Sequence, residues 1–223
     1  MNRVKQLITG FYEGKNLKKQ LPVTLLGVFF MAFSMSFLVL VDWGTDTFTN
    51  MNIAISHLLG MSLGNWQALL NTVLFIIVIL SGFDGIGFGT LANMILIGYL
   101  LDFFAFLWGI IIPAGLFDLI AVKIIVMAIA LPVFVFAAAI YMKAGLGMSP
   151  CDATPFIVQE KLEKLLGKTI PFKAVRIGWD ITMLIIAFAI TGKIYIVTVL
   201  MSFMLGPIIE YVGKHINKWF SLD

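Results

Sequence analysis

The feature that most limits what this chain can fold into is a set of long apolar stretches that carry no charge. Residues 21–41 and 124–142 contain no Asp, Glu, Lys or Arg. Because an α-helix rises about 1.5 Å per residue, roughly 20 apolar residues cross a hydrocarbon core about 30 Å thick. Only 12% of the chain is charged and its mean hydropathy is +1.02, whereas about a quarter of a soluble domain is charged. These values exclude a water-soluble domain and predict an all-α, integral membrane helical bundle.

Hydropathy predicts about six membrane spans and two shorter segments. The spans are residues 21–41, 66–83, 89–112, 124–142, 172–192 and 194–212. Residues 46–59 and 152–166 are amphipathic, and at about 22 Å each they are too short to cross a bilayer comfortably. We expect these two segments to lie at the membrane interface or to line a cavity. An eight-span alternative, in which both short segments cross, stays open because the charge distribution fits both counts.

The basic residues follow the membrane topology rather than forming one patch. The first 20 residues contain Arg3, Lys5, Lys15, Lys18 and Lys19, and a second basic group lies between positions 143 and 176. Cytoplasmic loops carry such an excess of Lys and Arg. We therefore predict that both termini are cytoplasmic and that the protein lies in a cytoplasmic (inner) membrane. The N-terminal segment lacks the features of a cleaved signal peptide, and the scattered basic residues do not indicate a nucleic-acid partner.

An internal duplication is visible in the polar and glycine positions. Thr90, Gly98 and Asp102 recur with the same spacing as Thr198, Gly206 and Glu210. Further pairs follow in the same order along the chain: Asp46 with Asp152, Gly60 with Gly167, Asn71 with Asp180, and Gly82 with Gly192.

The duplication predicts four regions in the chain. They are a cytoplasmic segment at 1–20, membrane repeats at 21–113 and 114–212, and a cytoplasmic tail at 213–223. Three spans in each copy give the second copy the opposite orientation, which makes an inverted repeat, a form that many transporters share. If the short segments cross, the two copies are parallel instead.

Several acidic or amide residues fall inside or beside the predicted spans. A carboxylate at membrane depth costs at least about 2.5 kcal/mol and commonly marks an ion or substrate path. The candidate substrate- or ion-binding residues are Asp46, Asn71, Asp102, Asp152, Asp180 and Glu210. Two of the acids have structural alternatives, since Asp180 follows Arg176 by one helical turn and Glu210 can reach the inner interface.

Two segments are candidate caps or hinges. Ser149 and Pro150 have the pattern of an N-cap followed by the first helical residue, with Asp152 three positions after the cap. Capping alone explains this pattern; the alternative is a helix N-terminus that binds an anionic group, which Asp152 disfavours. The Gly206 and Pro207 pair is predicted to kink or break its helix and to free carbonyl groups beside Glu210.

The segment at 145–152, Gly-Leu-Gly-Met-Ser-Pro-Cys-Asp, together with Thr198 and Gly206, resembles the YitT/YczE group of bacterial multi-pass membrane proteins, and in particular its YczE-like branch. The two glycines of this motif are Gly145 and Gly147, and the second is a candidate hinge residue. The resemblance extends over residues 21–212. It implies a bacterial membrane protein whose molecular activity is poorly defined. The first copy has Trp-Gly-Thr-Asp at 43–46 in place of Ser-Pro-Cys-Asp, so a strictly symmetric site is not expected.

These features together predict membrane transport of a small solute, coupled to an ion or proton through the intramembrane acids. No enzyme is predicted, because Cys151 and His57 lie in different copies and no metalloprotease, hydrolase or phosphate-binding motif is present. We expect no cofactor and no metal. The partners expected are the lipid bilayer and a small-molecule or ionic substrate, with a homo-oligomer or a membrane partner subunit as further possibilities. The alternative function is a non-catalytic membrane binding or scaffold subunit.

Overall fold

The computed structural model describes residues 16–220, with the backbone alone at 204–207, 210, 214 and 216–220. The helices in chain order are α1 (Leu17–Val41), α2 (Thr47–Leu59), α3 (Leu63–Leu80), α4 (Phe88–Ile111), α5 (Ile120–Lys143), α6 (Pro150–Leu166), α7 (Phe172–Thr191) and α8 (Ile196–Phe220), with a short 3-10 turn at Leu116–Asp118. No strand occurs between positions 16 and 220. The first half of the chain therefore contributes α1–α4 and the second half α5–α8.

Helix boundaries follow local capping chemistry. Ser62 accepts a hydrogen bond from the amide of Asn65 and starts α3. Gly60 and Gly167 end the two short helices α2 and α6 in the left-handed conformation, with φ of 63° and 62°. Glycine adopts this conformation without a steric penalty and is the usual residue at this position. The predicted pairing of these two glycines thus corresponds to a shared structural role.

Helices α1 and α5 pack against each other in antiparallel directions. Gly27, in the first half of α1, lies so close to Tyr141 at the end of α5 that an added Cβ would be 2.9 Å from the Tyr141 Cβ. The core around this contact contains Val28, Met35, Leu38, Ala130, Phe134 and Val135. The start of α1 and the end of α5 therefore lie at the same end of the bundle. We call it the basic end, because Lys18, Lys19 and Lys143 are there.

Helix α4 runs parallel to α1. The rings of Phe29 and Phe104 contact each other, and further along both helices Trp108 Nε1 donates a hydrogen bond of 2.8 Å to Ser36 Oγ. The start of α4 consequently lies at the basic end, where Tyr141 Oη donates to the carbonyl of Gly89.

The two short helices run in opposite directions. Helix α2 packs beside α7 and parallel to it, through a cluster that contains Met51, Ala54, Met183 and Ala187. Helix α6 packs along α3 through Val78, Ala153 and Ile157. The ring of Phe156, on α6, stacks on Phe83, just after α3, and on Phe172, at the start of α7. The end of α3 and the start of α7 therefore lie beside α6 at the basic end. Helix α6 thus runs toward the basic end and α2 away from it.

The loops that precede the short helices are held by the opposite half of the chain. The amide of Val197 donates to the carbonyl of Trp43 at 3.2 Å, and the amide of Gly89 donates to the carbonyl of Leu146 at 2.7 Å. Gly44 and Gly147 follow these carbonyls, and both have φ of 107°. Each loop is therefore bound to the first turn of the last helix of the other half.

Five of the described helices are long and apolar enough to cross a bilayer, namely α1, α3, α4, α5 and α7. They correspond to the first five predicted spans, with boundaries that differ by a few residues. Of the kink or break predicted at Gly206 and Pro207, the break is absent, because α8 continues through both positions. Helix α8 also extends beyond position 212, where the C-terminal tail was expected to begin. Proline removes one hydrogen bond from a helix, and the remaining bonds of a 25-residue helix keep it continuous.

Candidate functional site

Three of the predicted acids meet in the interior, between the two halves of the chain. Arg176 connects two of them: its Nη1 lies 2.9 Å from Asp152 Oδ1 and its Nε lies 3.4 Å from Asp180 Oδ2. Thr47, from the first half, donates a hydrogen bond of 2.8 Å to Asp180 Oδ1. The adjacent Asp46 lies within electrostatic range of both other carboxylates. We call these five residues the acid cluster.

The members of the acid cluster differ in how deeply they are buried. The side chain of Asp180 is only 7% exposed, whereas those of Arg176 and Asp152 are 32% and 36% exposed. Asp46 Oδ2 is buried and has no hydrogen-bond partner within the described part of the chain. Burial of a charge is costly unless it is paired, so the guanidinium of Arg176 is the group that stabilises the ionised form of Asp180.

Both short helices begin at the acid cluster. Asp46 caps α2 by accepting a hydrogen bond of 3.0 Å from the amide of Thr49. Ser149 caps α6 by accepting one of 3.1 Å from the amide of Asp152, and its hydroxyl donates to Asp152 Oδ2 at 2.6 Å. The predicted N-cap at Ser149 and first helical position at Pro150 are confirmed. Because side chains of the protein satisfy these amides, the alternative of an external anion bound at the start of α6 loses its main donors.

The other predicted site residues lie elsewhere. Asn71 is buried on α3, where its Nδ2 donates to the carbonyl of Met94 on α4 at 3.4 Å. Asp102 Oδ2 accepts a hydrogen bond of 2.9 Å from the amide of Gly64, in the first turn of α3. Within the described residues no hydrogen bond or ion pair joins either side chain to the acid cluster. The side chains of Glu210 and Pro207 lie outside the described part of the structure, and Gly206 is described by its backbone alone.

Sequence reasoning did not select several buried polar residues that lie outside the acid cluster as candidate site residues. Asn52, Gln67 and Thr198 are almost fully buried, and each has a side-chain oxygen with no hydrogen-bond partner among the described residues. The short helix α2 carries Thr47, Thr49, Asn50, Asn52 and Ser56 as buried polar residues. The amphipathic pattern of α2 was the available signal. The polar residues of α2 are buried inside the protein.

Two reactive side chains, Cys151 and His57, and one exposed ion pair are not members of the acid cluster. Cys151 is buried at the start of α6, whereas His57 is exposed in the last turn of α2. The charged end of α6 is exposed, and there the hydrogen bond and the charge of Lys164 lower the pKa of Glu160. Among the residues that the structure describes, no group of three or more His, Cys, Asp or Glu side chains is placed to hold a metal ion.

Comparisons with known proteins support the predicted resemblance. Over 152 residues the chain is 28% identical to a protein of Bacillus subtilis (strain 168) described as "Uncharacterized membrane protein YczE"; the match covers 68% of this chain and 65% of that protein's length. No solved structure matches the chain. Residues 18–214 match a family described as "Family of unknown function (DUF6198)". The expected YczE-like relationship is thereby confirmed, and this membrane protein belongs to the DUF6198 family.

Proposed function

We propose that this protein is a secondary transporter for a small solute, coupled to an ion or proton, and that its binding site is the acid cluster. One observation carries the proposal: Asp180 is bonded to Thr47 of the first half and to Arg176, which in turn is bonded to Asp152. Ionisable groups are expensive in a membrane protein and are typically retained along ion and substrate paths. Their position between the two halves is where transporters with internal repeats bind their substrates.

We further propose that the halves are inverted copies of one unit. Both halves have the same order of helices, which is long, short, long, long. The backbone bonds from Val197 to Trp43 and from Gly89 to Leu146 are equivalent under this symmetry, and the short helices run toward opposite ends. The helix caps favour one change to the sequence alignment, because Asp46 has the structural role of Ser149 rather than that of Asp152.

In the proposed topology six helices cross the membrane, and α2 and α6 each extend from its middle to one surface. The basic end then faces the cytoplasm, since it holds the start of α1 and the end of α5 with their lysines. This arrangement retains the expected inner-membrane location and the cytoplasmic position of both termini.

The charges of the acid cluster favour a cation or a proton as the coupled species. Three carboxylates face a single guanidinium, so the cluster is negative when all four groups are ionised. The N-termini of α2 and α6 offset part of this charge through their dipoles. In this proposal a species reaches the buried carboxyl groups past the side chains of Arg176 and Asp152, which are about one third exposed. A species that enters along this route competes with Arg176 for Asp180, which would couple its binding to a rearrangement between the halves.

The experiment uses proteoliposomes that contain a pH-sensitive dye and an imposed proton gradient. The probes are sodium, potassium, methylammonium, choline and spermidine, added singly to the outside. We expect at least one probe to discharge the gradient through the wild-type protein. Asp180→Asn and Asp46→Asn are expected to abolish this response. Asp84→Asn is the matched control, because Asp84 is an exposed loop carboxylate between α3 and α4.

Two outcomes would contradict the proposal. Full transport by a protein in which both Asp46 and Asp180 are changed would remove the acid cluster from the mechanism. A probe that raises the unfolding temperature of the purified protein by mass action but is never moved across the bilayer would instead support the alternative of a binding subunit.

A further inference from the structure

An open apolar groove lies on the outside of the bundle, between α1, α5 and α8. Its volume is about 850 Å³, and its wall includes Val23, Gly27 and Phe30 of α1, Pro132 and Ile140 of α5, and Val212 of α8. None of the residues that line the groove belongs to the acid cluster.

The length of the groove matches one leaflet of a bilayer rather than the whole membrane. On α1 its wall extends from Val23 to Phe30, which is roughly 10 Å at the rise of an α-helix. On α5 its wall extends from Leu131 to Ile140, which is roughly 14 Å. A hydrocarbon core is about 30 Å thick. An acyl chain of a single leaflet fits this length, whereas a transmembrane helix of a partner needs a groove about twice as long.

Each of the two antiparallel helices α1 and α5 carries a lysine beyond the same end of the groove. Lys19 precedes Val23 by one helical turn and therefore lies on the same face of α1. Lys143 follows Ile140 on α5 and extends toward α8, so that a Cβ added to Gly213 would be 3.3 Å from Lys143 Cε. Both lysines are exposed, and neither forms an ion pair with any residue that the structure describes.

We propose that this groove binds one anionic phospholipid, with an acyl chain against α1 and α5 and the phosphate headgroup between Lys19 and Lys143. Basic side chains at the cytoplasmic ends of transmembrane helices are a known means of recognising anionic headgroups. The combination of an apolar groove one leaflet long with two unpaired lysines at its end distinguishes this site from the general lipid-facing surface.

The experiment is native mass spectrometry of the protein released from micelles that contain equal amounts of palmitoyl-oleoyl phosphatidylglycerol and palmitoyl-oleoyl phosphatidylcholine. The two lipids share their acyl chains and differ in headgroup charge. We expect the wild type to retain one phosphatidylglycerol in preference. The variant with Lys19→Gln and Lys143→Gln is expected to lose about 30-fold in apparent affinity, from about 1 kcal/mol for each lysine.

The matched control carries Lys168→Gln and Lys173→Gln, which remove the same charge from exposed positions at the same end of the bundle. It should retain the wild-type preference. Equal retention of both lipids by the wild type, or an equal loss in the two double variants, would overturn the proposal. A dimer that dissociates when Leu26 in the groove is changed to Trp would assign the groove to a second copy and would overturn it as well.

Discussion

The ion pairs of Arg176 provide the sharpest test of how the acid cluster is stabilised. Arg176→Gln leaves the carboxylate of Asp180, which is 7% exposed, with Thr47 as its remaining hydrogen-bond donor among the described residues. Removal of one partner from a fully buried pair costs about 3–5 kcal/mol. Because the side chains of Arg176 and Asp152 are about one third exposed, water recovers part of this loss. We expect the free energy of unfolding to fall by about 2–3 kcal/mol.

The assay is thermal unfolding of the purified protein in detergent, at one fixed scan rate because membrane proteins commonly unfold irreversibly. For a chain of this size 1 kcal/mol corresponds to about 2–4 °C, so the expected fall is roughly 4–12 °C. Adding Asp180→Asn to Arg176→Gln should restore more than half of the loss, because the most deeply buried carboxylate that Arg176 contacts is then replaced by a neutral amide. Lys173→Gln, an exposed change on the same helix, is the control. The reasoning is refuted if Arg176→Gln unfolds within 1 °C of the wild type, or if the double variant is as unstable as the single one.

Three further predictions concern the backbone and the topology. Gly44→Ala should lower the unfolding temperature by several degrees, because φ is 107° and the new Cβ would overlap with Thr198 Oγ1, whereas Gly109→Ala, where nothing lies within 4 Å, should leave it equal or higher. Asp102→Ala should cost about 1 kcal/mol in thermal unfolding through the lost cap on α3 and leave any measured transport unchanged; abolished transport would return Asp102 to the mechanism. A cysteine introduced at Ser62 in a Cys151→Ala background should react with a membrane-impermeant maleimide from outside the cell; reaction only from the cytoplasm would contradict the proposed six spans.

The sequence was sufficient to predict the features that depend on local pattern. The apolar runs predicted α1, α3, α4, α5 and α7, because length and hydropathy are properties of one segment. The start of α6 was predictable from Ser149 and Pro150, since an N-cap acts over three or four residues. The polarity of Asp46, Asp152 and Asp180 was enough to select three residues that lie close together.

The features that depend on packing were not predictable from the sequence. Arg176 was considered as a partner of Asp180, one turn away on the same helix, but its shorter contact is with Asp152 on α6. Asp102 was selected for its charge and depth, yet its contact is with the amide of Gly64 on a neighbouring helix. Both outcomes depend on how one helix is rotated against another, which a pattern along a single helix does not determine. The continuity of α8 through Pro207 was not predicted either, because the pattern marks a missing hydrogen bond but not whether the rest of the helix compensates for it.

The loops that precede α2 and α6 can form their backbone hydrogen bonds to the other half at different stages of synthesis. The carbonyl of Trp43 receives its hydrogen bond from Val197, at the start of the final helix. Gly89 and Leu146, in contrast, are separated by a much shorter stretch of chain. During synthesis the second loop can therefore acquire its partner well before the first. A ribosome must therefore synthesise α1 to α7 before the loop at Trp43 receives its hydrogen bond, and a fragment that ends after α7 lacks the amide that holds the start of α2.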